Sequence, residues 1–407
     1  MTDQAVVTAD QAVVTGVGAV TPFGVGAQTL FDRWAQGEAA IEGGEGMCND
    51  FDPAEHLSRK EIRRADRFAQ LALVASEEAV RQAGWAESLP YDAERIGCVI
   101  GTGAGGLQSF ESELDVLRDR GEHAVSPLSI PRIMPNAAAA VVAMRYGLKG
   151  ECYGITSACA SGTQAIGAGM RLLRLGVVDA VVVGGAEGRH TVFSRAAFKL
   201  MGATSQSGCA RPFDRRRDGY VPGEGAGVLV LERRSSAEAR GAEVLGEVVG
   251  YGACSDAYHL TSPEPGGRGA TQAIRSALQD ANVRGEDIAY VNAHGTGTPL
   301  NDRTETIALK AALGPASMEV PVSSIKSAIG HLQGAAGAVE AIATLIALRS
   351  GIAPPTLGLE EPDEGLDLNY VPLVQQALRE PTAGARIGMS NSFGFGGHNA
   401  VVVMKAP

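Results

Sequence analysis

Ile155-Thr156-Ser157-Ala158-Cys159-Ala160-Ser161-Gly162-Thr163-Gln164 places a cysteine where one backbone period gives way to another. Residues 151–155 read as a strand, and from 163 to 175 the apolar positions fall at helical spacing. Cys159 therefore stands at a strand-to-helix turn, where unpaired N–H groups and the positive end of a helix dipole favour a thiolate. Its neighbours Ala158, Ala160, Ser161 and Gly162 are small, which leaves room for a bulky group to reach the sulfur. Most cysteines are only small buried hydrophobes. This one reads as an acyl-carrying nucleophile because of the histidines that follow it far downstream.

At 407 residues the chain is too long for one ordinary core, so two domains or one large double-layered fold is expected. The 53 glycines, 45% hydrophobic content and only 5% aromatics describe an α/β enzyme whose core is built from Ala, Val and Leu. A net charge of −11 without a lysine-rich run argues against nucleic-acid partners. The six cysteines (48, 98, 152, 159, 209 and 254) show neither a CxxC pair nor zinc spacing, so no metal and a reducing, cytoplasmic setting are expected. The start of the chain lacks a basic-then-apolar leader. No run approaches the roughly 18 apolar residues of a membrane helix, so no membrane partner is expected.

Taken in order, residues 12–18 read as a buried strand ending in a glycine turn, 67–83 as a helix, and 95–100 as a strand closed by the glycine turn 101–106. That turn matches G-x-G-x-x-G, but a dinucleotide site needs a second strand with an acid about 20 residues on. Residues 115–123 read instead as a charged loop, which weighs against a nucleotide. The valine run 179–185 reads as a central strand, and the charged segment 233–240 as a boundary. The later chain repeats this plan. Helix 269–281, strand 287–291 and turn 294–297 match 67–106; strand 320–325 and helix 334–349 match the Cys159 unit; strand 386–390 with 400–404 is paired with 219–231. An internal duplication implies two similar halves, 1–240 and 241–407, with sites at strand ends where they meet.

The second half's turns carry NAHGTGTPLND (292–302), SSIKSAIGHLQGAAGAVE (323–340) and NSFGFGGHN (391–399). A lone histidine is usually structural, but two on Gly- and Thr-rich strand-end turns opposite a candidate cysteine are harder to dismiss. With TSACASG (156–162), these segments resemble, in the same order and over essentially the whole chain, the elongating β-ketoacyl-acyl-carrier-protein synthases of the thiolase superfamily. The resemblance implies a thiolase-like α/β fold of duplicated βαβαβαββ halves in five α-β-α-β-α layers. It implies decarboxylative Claisen condensation of a malonyl group with an acyl chain held on Cys159, in a type II polyketide (aromatic or polyene) or fatty-acid pathway. Residue by residue, it makes His294 and His331 the decarboxylation pair. It makes Lys326, with Glu340 as partner, the group that tunes them. The backbone N–H groups of Cys159 and Phe393 become the oxyanion hole, with Phe393 also the gate. Thr296, Thr298 and Asp302 become supporting residues, the two threonines touching a pantetheine arm or capping their turn. Ala104 and Phe198, with Phe393, fall where the family lines its acyl pocket, although core packing explains Phe198 equally well.

The same resemblance implies substrates delivered on the phosphopantetheine arm of acyl carrier protein and no other cofactor. It also implies a dimer, either of identical chains or with a cysteine-less ketosynthase paralogue. Lys60, Arg63, Arg64 and Arg67 form a basic run that reads either as a dock for an acidic carrier or as a solvated helix start. The 391–397 turn has no cysteine, which separates the chain from degradative thiolases. Both histidines are kept, unlike in initiating enzymes. Cys159 itself argues against a catalytically silent partner subunit. Ala104 stands where elongating members often carry a bulkier aliphatic residue.

Overall fold

A computed structural model describes residues 10–381 and 384–406; residues 1–9, where a leader was sought, lie outside the described residues. The strands that carry the fold are β1 (Ala12–Thr21), β2 (Ile96–Gly101), β3 (Cys152–Ile155), β4 (Ala180–Glu187), β5 (Gly225–Arg233), β6 (Gly246–Ser255), β7 (Ile288–Asn292), β8 (Val322–Ser323), β9 (Arg386–Gly394) and β10 (His398–Ala406). Their order is β3-β2-β4-β5-β1-β6-β10-β9-β7-β8, so β6 to β10 mirror β1 to β5 about the centre. Pairing is parallel among β3, β2 and β4 and among β8, β7 and β9, and antiparallel elsewhere. Among the described residues the two sets join through three residue pairs, from Ala12 opposite Val248 to Val14 opposite Gly246.

Between the sheets lie the helices Ser161–Arg174 and Ala336–Ser350, which touch each other. Arg67–Gln82 and Ala137–Tyr146 cover one outer face, and Arg268–Ala281 with Pro299–Leu313 the other, completing five α-β-α-β-α layers. A helix enclosed on every side has no use for a polar face. Accordingly, twelve of the fifteen residues of Ala336–Ser350 are buried. The crossing of the two middle helices needs glycine on both. A Cβ on Gly162 would stand 2.8 Å from Ala338 N, and one on Gly337 2.0 Å from Thr163 Oγ1. The room that Gly162 was expected to leave for a substrate is thus occupied by the facing helix.

Other expectations also change. β1 runs on to Thr21 through Gly16 and Gly18 without turning. A Cβ there would meet Ala79 O at 2.0 Å and Ala75 O at 2.1 Å, so these glycines let the outer helix lie against the strand. The charged stretch read as a loop lies mostly in the helix Leu107–Arg120, whose surface position tolerates many charges. The boundary segment holds a short helix, Arg234–Ala239. Finally, the counterpart of β9 is the valine strand β4, and only β10 corresponds to β5. The sequence hid this because β9 and β10 form a hairpin, whereas a helix and a long loop separate β4 from β5.

Candidate active site

The chain leaves β3 through a strained turn in which Ala158, a non-glycine residue, has φ +50°. Ser161 Oγ pins that turn, accepting from Ser157 N–H at 2.9 Å and donating to the Ala158 carbonyl at 2.7 Å. From the mirror half, the turn after β7 brings His294, and the segment after β8 brings Lys326 and His331. Cys159 Sγ lies 3.0 Å from His331 Nε2. The two imidazole centroids are 5.4 Å apart with the rings nearly perpendicular. The sulfur and one nitrogen of each ring all lie within 4.8 Å of one another, and all three residues are buried.

Burial decides the charge state of this cluster. It drives both histidines well below their usual range, helped by the positive Lys326, so each is a neutral imidazole at pH 7. His331 Nδ1 accepts from Gln333 N–H at 3.2 Å, which leaves its proton on Nε2, facing the sulfur. The thiolate expected at Cys159 is not the resting form. Desolvation pushes the thiol up to about 12, outweighing the pull of Lys326 and of the Phe395 N–H. Lys326 is tied to Glu340 by an ion pair with both partners fully enclosed.

Two carboxylates that the motifs did not flag hold the turns in place. Glu305 accepts from the backbone N–H groups of His294 and Gly295, both at 2.8 Å, and from Asn391 Nδ2 at 3.0 Å. Glu187, at the end of β4, does the same for the mirror turn, accepting from Gly103 N at 2.6 Å and Gly334 N at 3.0 Å. Burial raises each to about 7. Glu187 left one sequence signal, an acid after a run of small and apolar residues, whereas Glu305 left none, since it follows Asn301, Asp302, Arg303 and Thr304. Asp302 is likewise buried and braces the loops through Phe213 N at 2.8 Å and Gly297 N at 3.2 Å.

Two cavities meet at the sulfur. One, of ≈ 250 Å³, is lined by His294, His331, Thr296, Thr298 and Phe393; the other, of ≈ 140 Å³, is lined by Ala104 and Phe198. Cys159, Gln333 and Phe395 line both. Phe395 therefore holds the dividing position expected of Phe393, and it is the Phe395 backbone N–H that reaches the Cys159 sulfur. The reason is register. Phe393 still lies within β9, paired with Asn399, whereas Phe395 is beyond the strand end, where the chain closes on the cysteine turn. A Cβ on Gly394 would stand 3.0 Å from Cys159 N. The Phe393 ring instead packs against His294, centroids 5.9 Å apart.

Two family models match the chain: the β-ketoacyl synthase N-terminal domain over residues 9–237 and the C-terminal domain over residues 245–360. This chain belongs to the β-ketoacyl synthase family. It is 44% identical to 3-oxoacyl-[acyl-carrier-protein] synthase 2 of Synechocystis sp., with 97% of each chain covered. Among solved structures, the ishigamide ketosynthase/chain length factor matches at TM-score 0.90 and 33% identity, covering 98% of this chain and 100% of that one. A type II polyketide ketosynthase, AntDE, solved with its acyl-carrier protein AntF and bound to the hexaketide, matches at TM-score 0.88 and 29% identity over 98% of this chain and 100% of that one.

Against that family background, the remaining site candidates divide. Thr296 and Thr298 bond each other at 2.9 Å on the wall of the larger cavity. Lys60, Arg63 and Arg64 are exposed on the short helix Arg59–Arg64, which starts with a capping box at Ser58. Arg67 does not belong with them. It donates to the buried carboxylate of Glu224 at 3.0 and 3.2 Å and to the Cys48 carbonyl at 2.9 Å, because its position at the start of the next helix turns it inward. Among the described residues no helix is long and apolar enough to cross a membrane.

Proposed function

We propose that the chain is a ketosynthase that condenses a malonyl group, delivered on acyl carrier protein, with an acyl chain held as a thioester on Cys159. The observation that carries this reading is the sulfur of the first half 3.0 Å from an imidazole of the second. In the first step the Cys159 sulfur bonds to the acyl carbon, and its proton leaves with the departing pantetheine thiol. The backbone N–H groups of Cys159 and Phe395 receive the charge on the carbonyl oxygen. Malonyl thioester then loses CO₂, and the negative charge develops on its thioester oxygen. Neutral His294 and His331 donate N–H bonds to that oxygen where the charge arises, burial and, after it, the nearby Lys326 cation keeping the imidazoles uncharged. The enolate carbon attacks the Cys159 thioester, the C–S bond breaks as the C–C bond forms, and the sulfur leaves as a thiolate that takes up one proton from water to return to the thiol. The atoms and electrons balance without a metal, flavin or nucleotide. The halves we assign are 1–240, bearing the nucleophile, and 241–407, bearing both histidines.

Carrier protein docks, on this reading, at Lys60, Arg63 and Arg64, whose cations suit an acidic partner. A second chain adds at β3, the terminal strand of the sheet, which among the described residues pairs only with β2. That second chain is an identical copy or a cysteine-less paralogue. The cysteines are all unpaired, in keeping with a cytoplasmic setting. Two pathway readings stand. Ala104 on the acyl cavity favours the longer or stiffer chains of a polyketide route, whereas the 44% identity to a 3-oxoacyl-[acyl-carrier-protein] synthase 2 favours fatty-acid elongation. Incubation with carrier-bound acyl groups followed by intact mass tests the core of the proposal. The wild type gains one acyl mass and Cys159→Ala gains none; an adduct that survives Cys159→Ala overturns it. His294→Ala should slow malonyl decarboxylation by about a hundredfold or more.

A further inference from the structure

The acyl side of the site holds more unmet polarity than an alkyl chain can use. His190, just past β4, is 7% exposed and lines the ≈ 140 Å³ cavity beside Cys159. Its ring stacks on Phe198 with centroids 5.0 Å apart, and neither ring nitrogen has a protein hydrogen-bond partner. Gln333 lines the same cavity with φ +51°, a conformation that costs a non-glycine residue strain. Its Oε1 is 4.0 Å from the Cys159 sulfur, and its Nε2, which lies near the Tyr220 hydroxyl, is buried without a hydrogen bond of ordinary length. The Glu187 carboxylate on the same wall, by contrast, takes its hydrogen bonds from backbone N–H groups. Burying an imidazole and an amide with bonds unmade is costly, and an apolar side chain of similar volume would pack there without that cost.

We propose that His190 and Gln333 form a polar subsite that selects acyl chains bearing a hydroxyl group over plain alkyl chains. The inference rests on the reading of Cys159 as the acyl carrier. Burial holds the His190 ring down at about 4, so it is neutral and offers one N–H donor and one acceptor nitrogen. The Gln333 amide nitrogen offers donors only. A hydroxyl donates and accepts at once, so it can meet both kinds of group; a ketone meets only the donors, and a methylene meets neither. Gln333, beside the sulfur, reads the carbons next to the thioester, and His190, against Phe198, reads a position further along.

The test compares octanoyl, 3-hydroxyoctanoyl and 5-hydroxyoctanoyl groups on carrier protein, with the acylation rate of Cys159 read by intact mass. In the wild type at least one hydroxylated chain should load roughly tenfold or more faster than octanoyl, because a site with unpaired hydrogen-bonding groups rejects the analogue lacking the oxygen. His190→Leu should lose the 5-hydroxy advantage while loading octanoyl faster, His190→Asn should keep part of it, and Gln333→Leu should lose the 3-hydroxy advantage. This crossover cannot come from damaged folding, which slows all three substrates alike. Equal wild-type rates, or variants that slow every substrate in proportion, overturn the subsite alone. Failure of every thioester to load Cys159 overturns the acyl-carrier reading and the subsite with it.

Discussion

At the scale of single residues, the site works by being dry. The same desolvation that keeps His294 and His331 neutral also keeps Cys159 a thiol, so nucleophile and imidazoles are governed by one cause. Two outcomes follow. Alkylation of Cys159 by iodoacetamide, followed by peptide mass, should rise about tenfold per pH unit from pH 7 to 9 without a plateau, since only the thiolate reacts. Malonyl decarboxylation should stay level from pH 8 down to 6, where an unperturbed imidazole would already be more than half protonated. Stability carries the same signature. Below about pH 6.5 the unfolded chain takes up protons at these histidines while the native one does not, so each contributes a loss of stability as pH falls. The melting-temperature gap between wild type and His331→Asn, if the wild type is the more stable at pH 7.5, should therefore narrow at pH 5.5.

At the scale of elements, close approach decides what a residue is for. Gly16 and Gly18 on β1 and Gly162 and Gly337 on the middle helices are sites where backbone or a neighbouring side chain already fills the Cβ position. Gly18→Ala should cost about 2–3 kcal/mol in chemical denaturation by forcing the helix Arg67–Gln82 off the strand. The basic run divides by element as well. Charge reversal at Arg63 and Arg64 should raise KM for carrier-bound substrate and leave a small pantetheine-mimic thioester unaffected. Arg67→Glu should instead lower the melting temperature, because it replaces the cation beside the buried Glu224 with a second carboxylate.

At the scale of the whole molecule, two mirror-ordered sheets meet so that strand ends from both open on one enclosed spot. The Lys326–Glu340 pair spans the core beneath it, and Glu340→Leu should cost about 3–5 kcal/mol by leaving a buried cation alone. Sedimentation of the chain expressed alone should give about twice 42.0 kDa if β3 pairs with an identical copy. The sequence by itself determined the duplication and marked a cysteine at a strand-to-helix turn and two histidines as site candidates, because each leaves a local mark in period, glycine content or motif order. Only the tertiary structure decided that Phe395 rather than Phe393 reaches the sulfur, that Arg67 faces inward, and that Glu187 and Glu305 clamp the catalytic turns. It alone decided that the sulfur rests protonated. Strand register, burial and the choice of hydrogen-bond partner are relations between segments distant in the chain, and no single stretch of sequence contains them.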